Sequence, residues 1–266
     1  MDDSIIVVDD LVRRFGSVTA VDHLTFRVRA GAACGLLGRN GAGKTTVIKM
    51  LTTLLPPTSG TARVCGYDVL RNPTDVRRSI GYVPQALSAD AELTGYENLL
   101  VMAKLYDLPR HSRERRIRDA LALMGLEDVA DRLVQKYSGG MIRRLEIAQS
   151  TLHEPRVLFL DEPTVGLDPL ARHTVWEHIA RVKAQQNCTI LLTTHYMDEA
   201  EHLCDELVIL HEGHLAVSGT PAELERSIGP QASLDEVFVH FTQTEPEATG
   251  AYDETSRTRH VSGRLG

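Results

Sequence analysis

The sequence predicts an α/β fold, a core of strands and helices interrupted by a helical insertion, and three observations carry that expectation. Short apolar runs such as Ile5-Ile6-Val7-Val8, Val157-Leu158-Phe159-Leu160 and Leu207-Val208-Ile209-Leu210 have the length of buried strands. In the last third of the chain they alternate with segments that carry helix-start signals. A glycine-rich loop joins the apolar run 33–37 to a helix start at Lys44, at the carboxyl end of a strand, where open α/β sheets bind their ligands. From about 86 to 152 the strand pattern stops and helical signals replace it.

In chain order, residues around 5–9, 23–29 and 33–37 read as strands, with turn-prone Gly16-Ser17 and Ala30-Gly31 between them. The helix from Lys44 to about Leu54 is stopped by Pro56-Pro57-Thr58-Ser59-Gly60. Strands near 61–65 and 80–84 flank a helix that begins at Pro73. In the insertion, Thr94 and Glu97 fit a capping box, and a basic amphipathic segment runs from Ser112 to Met124 before Gly125. The run Arg113 to Arg118 reads as a solvated helix face, with contact to lipid head groups or a partner as the alternative. The pattern then alternates: strand 157–160, helix 169–184, strand 189–193, helix 196–204, strands 206–210 and 214–218. Asp168-Pro169 is an N-cap followed by proline at the first helical position. His211-Glu212-Gly213-His214 superficially resembles a metal pair and reads better as a hairpin turn on Gly213. Thr220 with Glu223, and Ser233 with Glu236, start two short helices. Residues 243–266 are polar and read as a disordered tail. There is no internal repeat.

A chain of 266 residues suffices for one large domain. Its net charge of −7 is opposite to that of a nucleic-acid-coating protein, so no nucleic-acid partner is expected. Cys34, Cys65, Cys188 and Cys204 form no C-x-x-C pair and sit among apolar residues, the usage of reduced, buried thiols. No apolar stretch approaches the roughly 20 residues of a membrane span, and Met1-Asp2-Asp3-Ser4 lacks the basic-then-apolar pattern of a secretory signal. A cytoplasmic protein is expected, reaching a membrane only through a partner.

Gly38-Arg39-Asn40-Gly41-Ala42-Gly43-Lys44-Thr45, followed by Thr46, is a full match to G-x-x-x-x-G-K-[ST] between an apolar strand and a helix. The glycines let successive backbone amides turn toward a phosphate, and the helix adds its positive N-terminal end. Lys44 then supplies charge to the β and γ phosphates, and the Thr45 hydroxyl ligates Mg²⁺. The strand 157–160 ends in Asp161, suited to the Mg²⁺ shell, and Glu162, suited to polarise an attacking water. Together these specify a nucleoside triphosphatase.

Tyr137-Ser138-Gly139-Gly140-Met141 narrows the choice. Here the sequence resembles the ABC ATPases, whose signature is usually Leu-Ser-Gly-Gly-Gln. The resemblance covers about residues 5–225 and implies a P-loop NTPase core of ABC type, with an antiparallel β subdomain and an inserted α-helical subdomain. It divides the chain into a catalytic core (1–85 and 153–225), a helical subdomain (about 86–152) and short C-terminal helices (about 221–242), together one ATPase domain over 1–242.

Further roles follow from the resemblance alone. Phe15 matches the aromatic that stacks on adenine. Gln85 matches the glutamine that reads the γ-phosphate and Mg²⁺ and joins the core to the helical insert. Asp168, in Gly166-Leu167-Asp168, matches the loop that crosses the dimer interface, and His195 the histidine that contacts the γ-phosphate. The cofactors implied are ATP and Mg²⁺. The partners implied are a second copy or a second ATPase subunit, closing its Ser138-Gly139-Gly140 segment on the first subunit's ATP, and an integral-membrane permease. Tyr137 and Met141 depart from the usual signature. Within the family, the ending Ser233-Leu234-Asp235-Glu236-Val237-Phe238 resembles the drug and antibiotic exporter ATPases of the daunorubicin-resistance type.

Two other readings remain. ABC-type ATPases that act on ribosomes, DNA repair complexes or chromosomes usually carry two cassettes, coiled coils or basic patches, and this chain has one phosphate loop and net negative charge. A metabolite kinase would leave Ser138-Gly139-Gly140 and His195 without a task.

Overall fold

Residues 3–243 are described by a computed structural model. Of the polar tail expected over 243–266, all but Gln243 lies outside the described residues. The chain forms two sheets and nine α-helices among the described residues, which is the α/β class the sequence predicts.

The first sheet is antiparallel. Strands β1 (Ser4–Phe15), β2 (Val18–Arg29), β4 (Ser59–Val64) and β5 (Tyr67–Asp68) lie in the order β2-β1-β4-β5. β1 and β2 are longer than the expected 5–9 and 23–29 because facing irregularities break the alternation that marks a strand. Asp10 and His23 both have positive φ (51° and 47°), the pairing shifts register between Val8 and Leu11, and His23 Nδ1 meets Asp10 Oδ1 at 2.6 Å. Such bulges let a strand continue with polar residues turned outward.

The second sheet has six strands: β3 (Ala33–Leu37), β6 (Ile80–Val83), β7 (Val157–Asp161), β8 (Thr189–Thr194), β9 (Glu206–His211) and β10 (His214–Gly219). Their order is β10-β9-β3-β8-β7-β6. All neighbours are parallel except β9 and β10, which are joined through Glu212 and Gly213 at positive φ, the hairpin turn expected there. Residues of β7 alternate between two cores: Val157 and Phe159 face the antiparallel sheet and α1 (Lys44–Leu51), while Leu158 and Leu160 face the helices on the other side. Burial on both faces is why these strands read as unbroken apolar runs. All four cysteines are free and buried, and burial pushes the Cys188 thiol up to about 12, so it stays protonated at neutral pH.

α1 ends at Leu51, three residues short of the expected stop. Thr53 turns into the left-handed region (φ 64°), and the amides of Leu54 and Leu55 both return to the Lys49 carbonyl, so the helix closes before the two prolines are reached. After α2 (Pro73–Ser79) and β6, the chain forms α3 (Gly95–Leu105), α4 (Arg110–Leu123) and α5 (Gly139–Thr151) before rejoining the sheet at β7. The capping box of Thr94 and Glu97 is present. α6 (Pro169–Gln186) and α7 (Met197–Leu203) follow β7 and β8, and α8 (Pro221–Ile228) and α9 (Leu234–Thr242) follow β10, both with capping boxes. No helix among the described residues is long and apolar enough to cross a membrane.

Candidate active site

β3 delivers the chain to the glycine loop, and the backbone there requires glycine. Gly41 and Gly43 have φ of 88° and 100°, and a Cβ on Gly43 would stand 2.5 Å from the Ala20 carbonyl oxygen, closer than any side chain tolerates. α1 begins directly after it with no acidic residue in its first turn, so the free amides and the positive end of the helix face the loop unneutralised. Lys44 is buried, and its ammonium donates to the carbonyls of Gly38 (2.7 Å) and Arg39 (3.3 Å). An ammonium has three donors; the third lies toward Glu162 Oε1, 3.4 Å away.

The carboxyl ends of β7 and β8 bring the acidic groups to this loop. Asp161 is buried and its Oδ1 accepts from the hydroxyls of Thr45 (3.1 Å) and Thr193 (2.7 Å). Glu162 sits at positive φ (47°), an unusual conformation for a glutamate that persists where surrounding structure enforces it. The enforcing partner is Thr193, whose hydroxyl and carbonyl both accept from the Glu162 amide (2.9 and 3.2 Å). Besides Lys44, the Glu162 carboxylate meets Gln85 Nε2 (3.1 Å) and His195 Nδ1 (3.4 Å). Three sequence-predicted residues from three places in the chain therefore converge on the carboxylate of a fourth.

Around them lies a cavity of about 450 Å³, within the range of small-molecule sites. Asn40, Gly41, Gly43, Lys44, Thr45, Thr46, Gln85, Glu162 and His195 line it, with Ala20 and Val165. Gly38 and Ala42 are buried beneath the loop and Arg39 is exposed on it. A larger hollow, about 750 Å³, lies against α8 and α9 and contains none of these residues; the convergence of charged groups, rather than volume, selects the site.

Other expected residues stand apart from this cavity. Phe15 ends β1, nearly half exposed, with the Arg13 guanidinium 4.5 Å over its ring. Ser138 caps α5, its hydroxyl accepting from the Met141 amide (3.3 Å), and Gly139 follows it at the surface. Gly140 is buried against Ala171, where a Cβ would come within 3.0 Å. Asp168 caps α6 through the Ala171 amide (3.0 Å) and is exposed. Sequence reasoning missed Thr193, which ties Asp161 to Glu162; a threonine in a β-branched strand carries no signal of its own.

Residues 21–165 match the ABC transporter family. The chain belongs to that family. It is 44% identical over 238 residues to a daunorubicin/doxorubicin resistance ATP-binding protein of Streptomyces peucetius, covering 90% of this chain and 71% of that protein. It is also 44% identical over 220 residues to a Nod factor export ATP-binding protein of Ralstonia nicotianae, covering 83% and 68%. A solved ATP-binding subunit of an ABC transporter superposes with a TM-score of 0.80 at 36% identity, covering 90% of this chain and all of that one. CbiO1 of Clostridium perfringens, part of the ABC transporter complex cbiONQ, superposes at 0.78 with 27% identity. This ABC chain accordingly binds ATP and hydrolyses it.

The ABC signature departs from its usual form at Tyr137, and packing accounts for the tyrosine. Its hydroxyl donates to the Val129 carbonyl at 2.7 Å and lies 2.3 Å from where a Cβ on Gly95 would stand. Tyr137 thus fills the space left by a glycine at the start of α3. Gly95→Ala is expected to expel the ring and destabilise the fold by about 1–3 kcal/mol, the usual cost of overpacking. A melting temperature equal to wild type would show that the space is not closed as described.

Proposed function

We propose that this chain is the motor subunit of an exporter, in which Mg²⁺-dependent ATP hydrolysis drives a separate integral-membrane permease at the inner face of the cell membrane. The observation that carries the catalytic part is the convergence of Lys44, Gln85 and His195 on the Glu162 carboxylate, beside a glycine loop built for phosphate. In this reading residues 1–242 are one ATPase domain, with the catalytic core in 1–85 and 153–225 and a helical subdomain over about 86–152.

Chemically, the roles divide as follows. The loop amides from Gly38 to Thr46 and the start of α1 hold the phosphates, and Phe15 stacks on the base. An incoming γ-phosphate competes with Glu162 for the third donor of Lys44. Glu162, released from that ion pair, accepts a proton from the attacking water. Gln85 and His195 orient the water and the γ-phosphate. Thr45, Asp161 and Gln85 offer the oxygen donors that would hold a hard cation; Mg²⁺ bound there would supply neutralising charge to the phosphates. Positioning and charge neutralisation supply most of the acceleration, since phosphoryl transfer needs little covalent chemistry from the protein.

Ser138, Gly139 and Gly140 face solvent or α6 rather than this cavity, although they too open a helix with no acid in its first turn. A second copy, or a second ATPase subunit, gives them their anion, each closing its signature on the other's ATP, with Asp168 at the seam. The similarity to ATP-binding proteins of drug resistance and Nod factor export favours a drug, antibiotic or lipid-like cargo.

Affinity capture of the tagged chain from detergent-solubilised membranes tests the permease part. A polytopic membrane protein is expected to co-purify, and ATP turnover to rise in its presence. Recovery of ribosomal or nucleic-acid complexes instead would favour a non-transport ABC ATPase.

A further inference from the structure

One face of α5 reads the backbone of the segment that carries Gln85. β6 is the edge strand of the six-stranded sheet, and beyond its end at Val83 the chain continues as a loop through Pro84, Gln85 and Ser88. Unpaired backbone groups at such an edge need partners. α5 supplies them from three positions at helical spacing: Arg143, Glu146 and Ser150. The Arg143 guanidinium donates to the carbonyls of Pro84 (2.7 Å) and Gln85 (2.9 Å). Glu146 Oε1 accepts from the Ser88 amide and from its hydroxyl (3.1 Å). The Ser150 hydroxyl donates to the Tyr82 carbonyl at 3.0 Å.

Arg143 and Glu146 are almost completely buried, 3% and 1% exposed, and pair with each other at 3.0 Å. Two buried charges cost more in desolvation than a simple packing contact needs, and an apolar pair of similar volume would hold the fold at least as well. What the pair supplies beyond stability is geometry: a planar fork fixed on two successive carbonyls, one of them belonging to Gln85 itself. The other end of α5 starts at Ser138 and Gly139.

We propose that Arg143, locked by Glu146, is a positioning residue that makes Gln85 move as one body with the signature helix, so that an anion seated at the start of α5 is registered at Glu162. This rests on the reading of Gln85 given above. Arg143 touches no reacting atom and acts through Gln85.

The test is a double-mutant cycle on ATP hydrolysis by the full chain, with thermal melting alongside. Arg143→Lys keeps the charge against Glu146 and loses the fork. The pair Arg143→Met with Glu146→Leu removes both charges and keeps the volume. Each is expected to lower kcat about fivefold or more while KM for ATP stays within about twofold, the size of effect seen for coupling residues. In a Gln85→Ala background, adding Arg143→Lys should change kcat by less than about twofold, because the two act in series. A charge-free pair that melts and turns over like wild type overturns the proposal, leaving the pair a packing device. So does an Arg143→Lys effect of undiminished size in the Gln85→Ala background. Normal turnover in Arg143→Lys beside a defective Gln85→Ala sinks the clamp alone, whereas normal turnover in Gln85→Ala removes the reading of the site on which it stands.

Discussion

Lys44→Ala is expected to lower ATP hydrolysis by about 100-fold or more, the scale on which a preorganised charge or donor at a developing negative centre contributes. Lys44 is 4% exposed and already fixed by the carbonyls of Gly38 and Arg39, so its charge is delivered to one place. Alanine removes that charge, takes the lysine donor from the Gly38 carbonyl and leaves Glu162 Oε1 with His195 alone, while the Arg39 carbonyl keeps the Ala42 amide. Binding of ATP should weaken as well, because the lysine serves ground state and transition state alike. Steady-state phosphate release and titration with a fluorescent ATP analogue measure the two separately. A variant that turns over at the wild-type rate would remove the phosphate-loop assignment. One that folds and loses both turnover and affinity supports it, provided the melting temperature without nucleotide stays near wild type.

The candidate site was legible in the sequence wherever its residues follow local patterns. The glycine loop needs its glycines, lysine and threonine within one turn of chain, so the motif and its geometry coincide. Asp161 and Glu162 were legible because a strand buried on both faces leaves an unbroken apolar run that stops at them. Thr193 was not, since its task is set by a parallel neighbour whose register appears only in the folded sheet. Arg143 and Glu146 resist reading for a related reason. Charged residues on a helix look solvated until a loop nearly 60 positions away is found lying against them. The bulges at Asp10 and His23 shortened two expected strands because strand recognition relies on alternation, which a bulge interrupts. The subunit partner proposed for Ser138 and Asp168 is invisible in a single chain for the plainest reason: in the proposed dimer each copy would carry half of a composite site.

The proposed pairing of two subunits is what Glu162→Gln tests. Glutamine matches glutamate in size and still accepts a hydrogen bond, but it cannot take a proton from water. The groups proposed to bind ATP, namely Lys44, Thr45, Asp161 and the loop amides, are untouched, and the Glu162 amide keeps its bonds to Thr193 because they are made by the backbone. If Glu162 is the base, kcat should fall by about 100-fold or more, with ATP affinity retained or raised once the ion pair to Lys44 is gone. Two subunits closed around unhydrolysed ATP should then persist, each offering Ser138 and Gly140 to the other's γ-phosphate. In size-exclusion chromatography with ATP and Mg²⁺, Glu162→Gln is expected to elute as a dimer, while wild type consumes its nucleotide and elutes mostly as monomer. Adding Ser138→Arg places bulk and a cation at the exposed start of α5 and should return the variant to monomer without restoring turnover. Glu162→Gln that stays monomeric at saturating ATP would separate catalysis from pairing, leaving Ser138 and Gly140 with no phosphate to hold. Glu162→Gln with normal turnover would go further and pass the role of base to another group, with His195, 3.4 Å from the same carboxylate, the first to test.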